Sequence, residues 1–133
     1  MNINCYDSFN EGMTPVYKND NWMIGIKNFK PANAIENLDS MERHNETDEQ
    51  FVLLEGECTL IYANEEGGEL HIEALVMQKG KVYSIPAKLW HNTITIPSTK
   101  MVLIEAQNTS MDNSNVLTLT DVQRKKVKDL VRI

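Results

Sequence analysis

Glu42-Arg43-His44-Asn45-Glu46-Thr47-Asp48-Glu49 is the stretch whose reading decides the fold, with Gly56 after it and Gly80, Pro86 and His91 about forty residues on. It offers two imidazoles and two carboxylates from two separated parts of the chain. On a strand, positions 42 and 44 share one face because side chains alternate with a period of two. Asn45 to Asp48 is a polar cluster that reads as a turn, and Glu49 opens the apolar run Phe51-Val52-Leu53-Leu54. A tight hairpin there is expected to bring Glu49 beside His44. Nitrogen and oxygen donors of this kind suit a single divalent ion such as Zn, Mn, Fe or Ni.

Outward from that stretch the chain reads as short strands cut by turn signals. Trp22 to Phe29 alternates. Phe51–Leu54 and Cys58–Ala63 flank Glu55-Gly56-Glu57, a hairpin signature. Asn64 to Gly68 closes a further hairpin into Glu69–Met77. Gly80 turns into Lys81–Ile85, which Pro86 ends because proline has no N–H for a ladder. Trp90–Ile96 and Met101–Ala106 complete the series. Strands at this spacing indicate a sandwich or barrel, of which the double-sheet jelly roll is one solution.

Parity within Trp90–Ile96 puts His91, Thr93 and Thr95 on one face and Trp90, Asn92, Ile94 and Ile96 on the other. Near the end of the chain, Thr120 with Gln123 makes a capping box. Val122, Val127, Leu130 and Val131 then follow a helical period, so a short amphipathic helix over 120–132 is expected on the outside of the barrel. Residues 30–41 leave a turn of helix and an irregular loop both open, and Asn108–Asn115 reads as a polar connection.

The two motifs resemble those of the cupin superfamily. The first cupin motif runs His-x-His, three or four residues, Glu, six residues, Gly; here Glu42 stands in place of the first His, and His44, Glu49 and Gly56 match. The second runs Gly, five residues, Pro-x-Gly, two residues, His, three residues, Asn. Gly80, Pro86 and His91 match, with Lys88 for the inner Gly and Thr95 for the Asn. The resemblance implies an all-β fold, a double-stranded β-helix or jelly-roll cupin barrel, with the short C-terminal helix appended. It implies one cupin domain over 1–133, with the barrel core at about 20–107. It also implies a metal set of His44, Glu49 and His91, with Glu42, the departure from the usual three-His, one-Glu set, either completing that set or forming a salt bridge to Arg43, Lys27 or Lys30. Glu49, or Glu42, is expected to move a proton if released from the metal.

Two functions compete on this reading. One is a metal-dependent enzyme (dioxygenase, isomerase or epimerase, or lyase) acting on a small oxygen-rich molecule. The other is a non-catalytic barrel that binds a sugar or organic acid, with or without metal.

With 133 residues the chain buries a core without disulfides, and Cys5 and Cys58 show no metal-type or redox-type spacing. Cys58 reads as a small buried hydrophobe. Net charge is −6 with no basic block, so no nucleic-acid surface is expected. The first twenty residues lack a signal-peptide pattern and no run reaches membrane-spanning length; a cytoplasmic location away from membranes is the expectation. A homodimer is expected too, with the segment around Met13–Tyr17 pairing with a partner's sheet.

Overall fold

In the computed structural model, which describes residues 2–131, ten strands build two antiparallel five-stranded sheets. In chain order these are β1 (Gly12–Lys18), β2 (Trp22–Asn28), β3 (Ser40–His44), β4 (Glu49–Glu55), β5 (Cys58–Glu66), β6 (Glu69–Val76), β7 (Val82–Ile85), β8 (Trp90–Thr95), β9 (Lys100–Ala106) and β10 (Ser114–Thr118), followed by helix α1 (Asp121–Leu130). The first sheet has the order β1-β2-β9-β4-β7 and the second β10-β3-β8-β5-β6. This is the double-sheet jelly roll. No helix among the described residues is long and apolar enough to cross a membrane.

The chain alternates between sheets, and this corrects two expected hairpins. The turn between His44 and Glu49 passes from the second sheet to the first. Gly56 carries it back, because β4 bonds to β7 and β9 whereas β5 bonds to β6 and β8. Gly56 sits at φ 73°, and a Cβ there would lie 2.7 Å from the Thr99 backbone, so only glycine fits this crossing. The β5–β6 hairpin forms as expected: Glu66 pairs with Glu69 across Gly67 and Gly68, both at positive φ, as a two-residue primed turn demands.

The apolar residues bury in two places. Between the sheets lie Phe51, Leu53, Leu60, Met101 and Leu103, together with Cys58, whose thiol burial pushes up to about 12. On the other side of the second sheet, Met41, Ile61, Trp90 and Ile94 pack with Val127 and Val131. β5 is therefore buried on both faces, which is why its sequence runs apolar without alternating.

Helix α1 supplies that outer cover and contacts β6. Its start is fixed as expected: Thr120 Oγ accepts from Gln123 N–H at 3.2 Å, and Gln123 Oε1 accepts from Thr120 N–H at 2.9 Å. Residue 132, the last of the expected helix, lies outside the described residues. Val122 departs from the apolar stripe and is exposed, since it falls on the face away from the sheet.

Three further segments resolve what the sequence left open. Residues 31–33 form one 3₁₀ turn ahead of β3. Ser114 and Asn115, read as connection, begin β10, which pairs with β3 so that Ser114 lies opposite His44. Met13–Tyr17 lies in β1, the edge strand of the first sheet, and pairs on one side with β2 of the same chain.

Candidate functional site

Four strands from both sheets deliver the chemistry to one end of the barrel. Glu42 and His91 are direct cross-strand neighbours on β3 and β8, and His44 lies two residues along β3 on the same face. Glu49 opens β4 from the opposite sheet. Gln50 pairs with Ile104, so Glu49 runs beside Glu105 at the end of β9. His91, Glu49 and Glu105 are buried, His44 is nearly so, and the Glu42 side chain is 42% exposed at the rim.

The sequence-derived residues do converge. His91 Nε2 lies 3.0 Å from Glu49 Oε1, and His44 Nε2 lies 3.6 Å from the same oxygen. The two rings meet edge to face, with centroids 5.6 Å apart. Glu42 Oε1 stands 3.9 Å from His44 Nε2. Glu42, His44 and His91 each place a donor atom within 4.8 Å of the others, as do His44, Glu49 and Glu105. Donors around one ion at about 2.1 Å sit roughly 3.0–3.5 Å apart, so the Glu49 contacts need little adjustment to surround an ion.

The far ring nitrogens are held. His91 Nδ1–H donates to the Leu89 carbonyl at 2.9 Å, which leaves Nε2 as the nitrogen facing the cluster. His44 Nδ1 is 2.8 Å from the Ser114 hydroxyl. Such partners fix the orientation of ligating imidazoles.

Lys88 N–H reaches the His44 carbonyl at 2.7 Å and ties the two motifs together. Lys88 sits at φ 72°, the conformation that the glycine of the second motif would adopt freely. Thr95, in place of the motif's Asn, is buried with its hydroxyl unpaired among the described residues. His71 stands apart, exposed and 3.6 Å from Glu66.

Two residues of this end of the barrel were not read as members of the site: Glu105 was not singled out, and Lys27 was considered only as an ion-pair partner for Glu42. Glu105 Oε2 is buried without a hydrogen-bond partner among the described residues and lies 3.8 Å from His44 Nε2. Lys27 Nζ donates to Thr93 Oγ1 at 2.8 Å, and no carboxylate among the described residues comes within ion-pair distance of it. Both were visible in strand parity. Glu105 shares a face with Met101 and Leu103, and Lys27 with Met23, all core residues. With Glu42, His44 and Glu49 they line a cavity of about 290 Å³.

Proton affinities follow from this packing. Burial raises Glu105, and the hydrogen bond with Glu49 and the charges of Glu49 and Glu42 add to it, holding the carboxyl at about 8. Burial also works to raise Glu49, but the hydrogen bond and charge of His91, aided by Glu105 and His44, keep it below the usual carboxylate value. Burial works to lower His91, and the Glu49 hydrogen bond and charge outweigh it and raise the imidazole. Lys27 is lowered by burial against the opposing pull of Glu49 and Glu42. At neutral pH, then, Glu105 is the group that keeps a proton beside an ionised Glu49.

No family model matches the chain, and no curated protein matches it. Solved structures do. A Streptomyces PAC13 variant with uridine aligns at 12% identity and TM-score 0.61, over 95% of this chain and 98% of that one; PAC13 is described as a nucleoside dehydratase with a β-barrel. A cupin-2 domain protein from Shewanella frigidimarina aligns at 17% and 0.55, over 74% and 85%. The Fe(II) form of HppE aligns at 13% and 0.50, over 63% and 42%.

Proposed function

Because the chain has the cupin fold, we propose that it is a divalent-metal enzyme acting on a small oxygen-bearing molecule held in the barrel mouth. His44, His91 and Glu49 hold the ion, Glu105 stands beside them as proton carrier and further donor, and Glu42 closes the rim. The observation that carries this reading is the orientation of the two imidazoles. Each has Nδ1 engaged behind it and Nε2 turned onto one carboxylate oxygen. The donor set contains no thiolate, which suits Zn, Mn, Fe or Ni rather than a soft ion.

A bound ion would polarise a carbonyl or hydroxyl oxygen of the ligand. The protein's own groups supply the rest. Without metal Glu105 keeps a proton up to about pH 8; beside a bound ion it would stand as the carboxylate placed to take a proton from the ligand. Glu49, the proton carrier expected from the sequence, is the more committed anion and is better used as a ligand. Lys27 has donors to spare for a ligand oxygen. Phe51 and Leu103 form the apolar wall. This arrangement favours isomerisation, epimerisation or elimination beside a carbonyl. The dehydratase neighbour performs an elimination in a barrel of the same fold.

The test begins with elemental analysis of untagged protein incubated with Mn, Fe, Ni or Zn. One ion per chain in the wild type, lost in His44→Ala and His91→Ala, is the expected result. Loaded protein is then followed by NMR in D₂O against a panel of small hydroxyketones and aldoses. Deuterium exchange beside a carbonyl that disappears in Glu105→Gln supports the enzyme. Metal binding with no exchange or elimination of any panel compound favours the non-catalytic binding barrel. Failure to bind any of the four ions sinks the metal reading.

A further inference from the structure

Lys27 crosses the interior of the barrel. Its strand, β2, belongs to the first sheet, yet Nζ donates to Thr93 Oγ1 on β8 of the second at 2.8 Å. Thr93 is buried and shares one face of β8 with His91. The amine therefore stands inside, one step along the strand from the imidazole. It lines the same cavity as Glu42, Glu49 and Glu105.

A single hydroxyl is a poor partner for an ammonium held away from water. Buried lysines kept for structure are paired with a carboxylate, because an unpaired charge there is costly. Three carboxylates line this cavity, yet among the described residues none comes within ion-pair distance of Nζ. Two of the three N–H donors of the ammonium are left without a protein acceptor among the described residues. Met13, Phe51 and Leu103 give the cavity apolar walls. Burial lowers the proton affinity of the amine against the opposing charges of Glu49 and Glu42. A desolvated lysine is an activated nucleophile toward carbonyl carbon.

We propose that Lys27 captures a small, uncharged hydroxyaldehyde or hydroxyketone as a Schiff base on Nζ. Volume and charge select that class. A cavity of about 290 Å³ admits a molecule of a few carbons. Glu49 is ionised and Glu42 stands at the rim, so a keto acid meets repulsion that a neutral carbonyl compound does not.

In the capture, Nζ gives up one proton and its lone pair forms the N–C bond, while the carbonyl π pair moves to oxygen. The resulting carbinolamine nitrogen loses a second proton and its lone pair then expels the oxygen. That oxygen leaves as water carrying both protons. An ammonium and a carbonyl thus become an iminium and water. Glu105, which holds a proton in the metal-free protein, shares the cavity and can relay both. The iminium keeps the cation of Lys27 facing Glu49 and Glu42, so the charge balance of the cavity is unchanged. The capture requires no ion and stands apart from the metal reading.

Reductive trapping in a chelating buffer near neutral pH tests it, with dihydroxyacetone as the probe and cyanoborohydride to reduce the imine to a stable secondary amine. Peptide mapping should place the adduct on Lys27, formed about tenfold faster than on Lys125, whose side chain is 78% exposed. Lys27→Arg keeps the cation and its donors but forms no imine, so it should lose that adduct and label Lys125 as before. Circular dichroism checks that the variant is folded; if it is not, the wild-type map decides alone. Pyruvate, a ketone of the same length with a carboxylate, should label Lys27 about tenfold less than dihydroxyacetone does. No adduct on Lys27, labelling there no faster than on Lys125, or equal labelling by pyruvate would each overturn the proposal.

Discussion

Glu105→Gln separates what this carboxyl does without metal from what it does with it. In the metal-free protein the folded state holds the Glu105 proton up to about 8, against an ordinary value of 4.5. The unfolded chain releases that proton first. Wild-type stability therefore contains a contribution that is intact below about pH 4.5, declines as pH rises, and is gone above about pH 8.

At about 1.4 kcal/mol per tenfold in proton affinity, the ceiling is roughly 5 kcal/mol, and relaxation around the ionised carboxylate should leave about half of it. Glutamine mimics the protonated form and still donates to Glu49, so the variant does not decline over this window. Urea melts in a chelating buffer from pH 5 to 9 should show Glu105→Gln gaining about 2–3 kcal/mol on the wild type across the range. His91, Glu49 and Lys27 titrate in both proteins and largely cancel in the difference. Saturating metal should reverse the order, because the ionised Glu105 then gains a cation and the amide does not. Parallel stability curves without metal would refute the buried, proton-holding Glu105.

Lys88→Gly should raise stability by about 0.5–1 kcal/mol, seen as a few degrees in the thermal midpoint. It removes the left-handed strain at φ 72° while keeping the N–H bond to His44, and glycine's greater unfolded entropy takes back part of the gain. Gly56→Ala should cost about 2–4 kcal/mol in denaturant melts, because its Cβ meets the Thr99 backbone at 2.7 Å and neither element can give way cheaply. Glu42→Ala should keep full metal stoichiometry and lose about tenfold in affinity by chelator competition, whereas Glu49→Ala should lose the ion. Glu42 is half exposed and its oxygen lies 3.9 Å from His44, while Glu49 is buried between both imidazoles.

The barrel was legible because its strands are short and their punctuation is local: Gly67-Gly68, Pro86 and the Thr120–Gln123 box each mark a boundary by their own chemistry. Pairing was less legible. Nothing local to Glu55-Gly56-Glu57 tells whether the next strand bonds to the last one or crosses to the facing sheet, since glycine at positive φ serves both. β10 escaped because Ser114 and Asn115 are polar and earn their place through β3 alone.

The histidines and Glu49 stood out by motif spacing. Glu105 and Lys27 did not, although each is a charged residue on the buried parity of an otherwise apolar strand. Reading polar interruptions of a core-facing row as candidates in their own right would have found both.

Those two residues also make sense of the missing first histidine. Replacing an imidazole with Glu42 adds a negative charge at the rim, and Glu105 adds a second inside, so the end of the barrel holds three carboxylates where the usual set holds one. In the metal-free state the excess is relieved by the proton on Glu105 and by Lys27, whose lowered proton affinity is opposed by Glu49 and Glu42. A divalent ion held by His44, His91 and Glu49 would displace the Glu105 proton and take over that balancing role, so binding would be linked to proton release and strengthen with pH. More anionic donors also leave a weaker Lewis acid, which acidifies bound water less. Such a centre would be better matched to orienting a chelated oxygen ligand beside a carboxylate able to take up its proton than to generating hydroxide at neutral pH. The proposed carboxylate-rich donor set and the proposed isomerisation or elimination chemistry would thus rest on the same three glutamates.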